Sequence, residues 1–298
     1  VVFSLRKIIK DKQVGHIGTL DPMAEGLLGC LVGESVKLSD YLMGSNKKYR
    51  LTLQLGITTD TWDITGDVLQ KSDKVVTAEV IQKSILKLSG PQELPIPMYS
   101  AKKVDGKKLY EVARKSTRIV QKNIASENEL SAEAFEGPIK TMNFWDIHVA
   151  EINFPNVSLE FWCSKGSFVR SWVYCLGKEL GVGASLSRLQ RLAIGDYKLS
   201  DAITLDELRQ ITDLEQATQG KKYFLDSWEA LKGRTWIDLE ESERDKLKCG
   251  LVSYNLTNRL SERKLQGEVF CFFDKKLVSI LHISNVIEVK RVFANTHS

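Results

Sequence analysis

The residues best equipped for chemistry lie in one run near the start of the chain, Gly15-His16-Ile17-Gly18-Thr19-Leu20-Asp21-Pro22-Met23-Ala24-Glu25-Gly26. Two glycines let the backbone turn tightly or approach a ligand closely. Pro22 fixes the backbone after Asp21 and disfavours a helical conformation at Asp21 itself. The carboxylate is therefore presented on a stiff loop, either to a substrate or to a turn or helix cap, the commonest use of such an aspartate. A second acidic loop, Asp60 to Asp63, invites a metal-site reading. It lacks the acidic ladder and terminal glutamate of a calcium loop, so we read it as support for a site and expect no metal. With no GxGxxG or P-loop in the chain, no nucleotide cofactor is expected.

The elements that must position these residues can be read from periodicity. Val2, Leu5 and Ile9 are spaced along one face of a helix end over residues 1–10. A turn is expected at Gly15 to Gly18, and a helical or mixed segment over residues 23–42. Leu51, Leu53 and Leu55 alternate in a half-buried strand. Thr77 is placed to cap a helix carrying Ile81, Ile85 and Leu88 that ends at Gly90. A proline-rich turn at Pro91, Pro95 and Pro97 is expected to break the chain. Trp145, Ile147 and Val149 alternate, as do Val157, Leu159, Phe161 and Cys163, which predicts a hairpin turning at 153–156. Val169, Trp172, Val173, Leu176 and Leu180 mark an amphipathic helix stopped by Gly181. Thr204 and Glu207 form a capping-box pattern. Beyond Gly233 two short strands flank Asp274-Lys275-Lys276. The fold class is α+β, mostly antiparallel.

At 298 residues, with 43% hydrophobic and 27% charged, the chain has material for about two globular domains. No apolar run reaches the roughly 20 residues that span a bilayer, and no signal peptide is visible. Five scattered cysteines without a CxxC pair argue for reduced thiols in a cytoplasmic protein. The net charge of +4 leans mildly toward a polyanionic partner. Lys102, Lys103, Lys107, Lys108, Arg114, Lys115 and Arg118 form one basic cluster, and Arg188 with Arg191 another. Each is either a solvated face or a set of phosphate contacts.

The Asp21 run resembles the G-H-x-G-T-L-D-P-x-A-x-G motif of the TruB family of tRNA pseudouridine synthases. Further motifs follow in order. Lys47-Lys48-Tyr49-Arg50 is similar to the family's K-x-Y, and Thr59 to Gly66 to its T-D-T-x-D-x-x-G loop. Pro97 to Lys103 is similar to P-x-Y-S-A-x-K, Cys163 to Ser171 to C-S-K-G-T-Y-I-R-S, and Leu189-Gln190-Arg191 to L-x-R. The resemblance covers roughly residues 1–230 well and the remainder loosely. It implies a pseudouridine-synthase fold, with a mixed, mostly antiparallel central sheet and flanking helices over 1–233, and a small β-rich PUA-type RNA-binding domain over 234–298. It implies isomerisation of the T-loop uridine at tRNA position 55, with no cofactor, metal, guide RNA or membrane, by a monomer.

By the same resemblance Asp21 is the catalytic carboxylate. Arg170 pairs with it, and an opposing charge favours an ionised carboxylate. Tyr49 stacks on the flipped base and serves proton transfer. His16 enters the T-loop. Phe168 and Leu189 line the uracil pocket, and Lys102 meets phosphate or supports the site. Three departures stand out. The chain begins at Val1, without the K-P-x-G-x-T-S stretch that builds a strand in the family. Phe168 replaces a tyrosine, which removes a hydroxyl. Residues 123–136 read as a polar insertion. Two rival readings are a T-loop binding or RNA-folding protein without chemistry, and a glycosidase, which would need a second carboxylate.

Overall fold

The computed structural model describes residues 1–100, 135–211 and 221–293, together with the backbone of 103–104 and 107–108. Lys102, most of the first basic cluster and the polar stretch 123–134 lie outside the described residues. Secondary structure begins with α1 (Val2–Ile9), β1 (Val14–His16), β2 (Glu25–Gly26), β3 (Cys30–Val32) and α2 (Ser39–Leu42). It continues with β4 (Lys47–Leu55), β5 (Ile57–Thr59), β6 (Val68–Lys71), α3 (Ala78–Lys87) and β7 (Gly90–Pro97). Then come β8 (Lys103–Val104), β9 (Lys107–Lys108), β10 (Glu136–Asn153), β11 (Asn156–Cys163), α4 (Val169–Leu180), β12 (Ala184–Ile194) and β13 (Tyr197–Lys198). The chain closes with α5 (Leu205–Gln210), α6 (Ser227–Leu231), β14 (Trp236–Asp238), α7 (Glu241–Lys248), α8 (Tyr254–Glu262), β15 (Gly267–Phe273), β16 (Lys276–Ile283) and β17 (Ile287–Val292).

The chain divides into two compact units. One comprises residues 18–28 and 43–200 and is built on a sheet ordered β13-β12-β4-β11-β10-β7, with β2 added in parallel along β12. The other neighbours in that order run antiparallel. The expected mixed, mostly antiparallel sheet is therefore present. Leu51, Leu53 and Leu55 of β4 point to one face, as their alternation predicts, and meet Ile81 and Ile85 of α3 and Trp172, Val173 and Leu176 of α4 in one core. Each is at most 2% exposed, and fully burying such a side chain is worth about 1.5–3 kcal/mol. α4 runs to Leu180 and stops where Gly181 takes a left-handed φ of 67°, as the periodicity predicts.

Two expectations are corrected here. The proline-rich stretch is not a turn: Pro91, Pro95 and Pro97 lie in β7, which among the described residues pairs only with β10, at the sheet edge. An edge strand has one side of its backbone unpaired, so the missing proline N–H groups cost no ladder bond there. Trp145 does not share a face with Ile147 and Val149. A bulge at Asp146, with φ 53°, shifts the phase of β10, so Trp145 stacks on Trp162 at 6.5 Å while Ile147 and Val149 pack on the core. The hairpin itself turns at Phe154-Pro155, between Asn153 and Asn156.

The other unit comprises residues 1–17, 29–42 and 201–298. The expected turn at Gly15 is instead the middle of β1, paired with β3 through Gly15 and Leu31. Thr204 and Glu207 form the expected capping box at the start of α5. A second sheet runs β14-β15-β16-β17, over a core of Ile237, Leu247, Leu256, Leu260, Val269 and Leu281. The β15–β16 hairpin turns at Asp274 and Lys275, both at positive φ (48° and 58°), the type I′ geometry that matches strand twist. No helix of the described residues is long and apolar enough to cross a membrane.

Candidate active site

Asp21 and Arg170 come from opposite ends of their unit's sequence and meet. Arg170 sits in the first turn of α4, its side chain 6% exposed. Its Nε donates to Asp21 Oδ2 at 3.0 Å and its Nη2 to Asp21 Oδ1 at 3.0 Å, a bidentate fork. The remaining capacity of the guanidinium is also used. Nη1 donates to Thr61 O at 2.9 Å, Nη2 donates to Tyr99 O at 3.0 Å, and Asp63 Oδ2 lies 3.6 Å from Nη1. The Asp63 carboxylate is itself held by the Thr61 hydroxyl, at 2.9 Å, and by the Thr65 N–H, at 3.0 Å. That matches the supporting role read for the Asp60–Asp63 loop. Asp21 keeps 33% of its side chain exposed. The pair is thus a buried cation aiming a carboxylate at solvent, an arrangement suited to attack or proton removal at a bound electrophile.

The loop that carries Asp21 is fastened by a residue of the L-x-R motif to which the resemblance assigns no role at the site. Arg191, which pairs with Arg188 in sequence as a surface or phosphate-contacting cluster, is 1% exposed. Its Nε donates to Leu27 O at 2.7 Å, its Nη1 to Thr19 O at 3.1 Å and its Nη2 to Gly18 O at 3.2 Å. A signal exists in the sequence, since Leu189, Arg191 and Ala193 alternate along a strand and put a charge at a core-facing phase. Arg188, by contrast, is exposed. Gly26, in the parallel pair with Arg191, has φ +101°, and a Cβ there would stand 2.4 Å from Arg191 O. Gly26→Ala should therefore destabilise the protein by at least about 2 kcal/mol in urea unfolding. An unchanged midpoint would mean that the loop does not pack against β12 as described.

The remaining expected residues are placed as follows. Tyr49, on β4, and Phe168, the N-cap of α4, pack half-buried on the main core, as do Met23 and Ala24 of the Asp21 loop. Leu189 is a member of that core, 5% exposed. His16 belongs to the other unit, at the end of β1 opposite Cys30. Lys102 lies outside the described residues.

Residues 6–169 match the model of the TruB family pseudouridylate synthase N-terminal domain. The chain belongs to the TruB family. Its relatives include a tRNA pseudouridine synthase B of Bdellovibrio bacteriovorus, 45% identical over 70% of this chain and 63% of that protein. Another, from Clostridium kluyveri, is 35% identical over 91% of this chain and 88% of its own length. The fold of this TruB-family chain is also that of the solved Cbf5-Nop10-Gar1 complex, with TM-score 0.66 at 19% identity over 98% of this chain and 79% of that one. An H/ACA RNP bound to a substrate RNA containing 2′-deoxyuridine gives TM-score 0.65 at 18% identity, over 99% of this chain and 81% of that one.

In this family member, burial pushes the Tyr49 hydroxyl up to about 12; Cys163 and Asp21 add to the rise, and Arg191 opposes it. Tyr49 is therefore a neutral phenol, able to donate a proton, throughout the physiological range. The raised value also carries a stability consequence. The neutral form is retained below the ordinary value of 10.0, and stability is lost as pH rises from there toward 12. Tyr49→Phe should reduce that alkaline loss by roughly 2–3 kcal/mol in urea titrations. Superimposable curves for parent and variant would contradict a buried hydroxyl.

Proposed function

We propose that this chain isomerises the T-loop uridine at tRNA position 55 to pseudouridine, in the cytoplasm, as a monomer and without a guide RNA. The observation that carries the reading is the bidentate Arg170–Asp21 pair, with the arginine sealed and the carboxylate open to solvent. The reaction breaks the N1–C1′ bond, turns the base and forms C5–C1′, while a proton leaves C5 and one is taken up at N1. Atoms balance within the uridine and the solvent. Asp21 acts at the sugar. Tyr49 supplies a flat face for the flipped base, worth about 1–3 kcal/mol, and a hydroxyl for proton transfer. Phe168 packs at the pocket without the hydroxyl of the family's tyrosine. His16 meets the T-loop, Lys102 meets phosphate, and Leu189 closes the apolar wall. No metal or redox step is needed.

Incubation with an unmodified T-arm stem-loop carrying 5-tritiated uridine tests the reading, because bond formation at C5 must expel the label. Release by the parent protein supports isomerisation. Tight RNA binding with no release would instead favour a protein that grips the T-loop without chemistry, and free uracil would indicate a glycosidase.

We further propose that residues 1–233 act as the catalytic domain and 234–298 as a PUA-type module that holds tRNA beyond its T-arm. Support comes from the separate core under β14–β17 and from exposed Lys275, Lys276, Lys290 and Arg291 on that sheet. Lys290→Glu combined with Arg291→Glu should weaken binding of full tRNA and lower its salt slope by about 1 for each phosphate no longer neutralised. Binding of the T-arm stem-loop should be unaffected. Equal weakening of both RNAs would count against the assignment.

A further inference from the structure

Arg191 is buried without a carboxylate partner among the described residues; its guanidinium donates to three backbone carbonyls of one loop and also hydrogen-bonds the Tyr49 hydroxyl. Gly18 and Thr19 precede Asp21 and Leu27 follows it, so one guanidinium buckles the loop on both sides of the carboxylate. The backbone of the same residue adds a third fastening, because Leu27 N–H donates to Arg191 O at 2.9 Å. Within the loop, Ala24 N–H donates to Asp21 O at 2.9 Å, which fixes the turn that presents the side chain. The Arg191 charge also acts on the Tyr49 hydroxyl. The neighbouring lysine is engaged elsewhere: Lys47 Nζ donates to Met43 O and Ser45 O, at 3.0 and 2.5 Å. A planar fork spans three carbonyls in a way that a single ammonium does not.

The geometry points to Arg191 as a positioning residue for the isomerisation, one that fixes the Asp21 loop against β12 and so sets where the carboxylate meets the sugar. This rests on the isomerase reading above. It differs from the part played by Arg170, which touches the Asp21 carboxylate itself. Arg191 holds the Asp21 carboxylate through the backbone on either side.

The test uses the full chain with Arg191→Lys and Arg191→Ala and three measurements. A misplacement of about 1 Å costs on the order of 100-fold in rate, so Arg191→Lys should react roughly 100-fold more slowly in single turnover. It should still bind the T-arm stem-loop within roughly threefold of the parent, because the lost interaction orients rather than binds. Hydrogen exchange should quicken at the Ala24 and Leu27 amides while β4 and β11 keep their protection. Ethylguanidinium, and not ethylammonium, should raise the rate of Arg191→Ala. An Arg191→Lys rate within threefold of the parent would overturn the proposal. So would equal losses in binding and rate, or exchange loosened across the whole sheet, since the arginine would then be a fold element only. If the parent itself releases no tritium, the isomerase reading falls, and exchange at Ala24 and Leu27 still decides whether the tether exists.

Discussion

Asp21→Asn is expected to lower the single-turnover rate of pseudouridine formation by on the order of 10⁴-fold or more, with RNA affinity nearly unchanged. A carboxamide has the shape of the carboxylate without its negative charge, so it neither attacks nor abstracts. The structure explains why the fold should survive. Arg170 keeps Thr61 O, Tyr99 O and the nearby Asp63 carboxylate, and only the fork to Asp21 is spoiled. Rotating the amide oxygen toward one guanidinium nitrogen leaves its NH2 facing the other, which exchanges a charge-assisted bond for two donors in opposition. Stability should therefore fall by about 1–3 kcal/mol, visible in urea unfolding. The rate comparison belongs on the 5-tritiated stem-loop, with binding followed separately by filter retention. A variant rate within tenfold of the parent would remove Asp21 from the chemistry and, with it, the mechanism proposed above.

Arg170→Met is expected to be the most destabilising single change at the site. It deletes the cation that faces two carboxylates and two carbonyls. Breaking a buried pair from one side costs about 3–5 kcal/mol, because the partner left behind stays desolvated. Asp63 is that partner here: its side chain is only 7% exposed, whereas Asp21 can turn to water. Part of the loss in activity would then come from unfolded protein, so Arg170→Lys is the informative companion. An ammonium restores the charge near Asp63 and loses the fork to Asp21. Arg170→Lys should regain most of the stability and still react on the order of 100-fold more slowly, because the carboxylate is no longer held in plane. Rates matching the parent at matched folded fractions would mean that Arg170 serves the fold alone.

Much of the local structure is legible along the chain because its causes are local. The alternation of Leu51, Leu53 and Leu55 in β4, the stop of α4 at Gly181 and the capping box of Thr204 with Glu207 each depend on residues a few positions apart. The proline-rich stretch and the phase of Trp145 are not legible in this way, because both depend on neighbours. Prolines are excluded from a central strand and accepted in an edge strand, and nothing between Pro91 and Pro97 says which kind it is. A bulge at Asp146 arises where two strands must be re-registered, and it reverses the face of the residues that follow until a second shift between Val149 and Glu151 restores the phase at Ile152.

At the site the division is sharper. Residue order alone establishes that Asp21 sits on a stiff loop, since Pro22 restricts the residue before it, and the ordered motifs establish the family. The meeting of that carboxylate with Arg170, 149 residues away, depends on α4 packing its first turn beside Thr61, Asp63 and Tyr99. The burial of Arg191 under the loop depends on β12 lying between β4 and β2. A guanidinium reads the same in sequence whether it faces solvent or three carbonyls. Long-range packing settles which, because burying that charge is tolerable only where distant backbone acceptors converge on it.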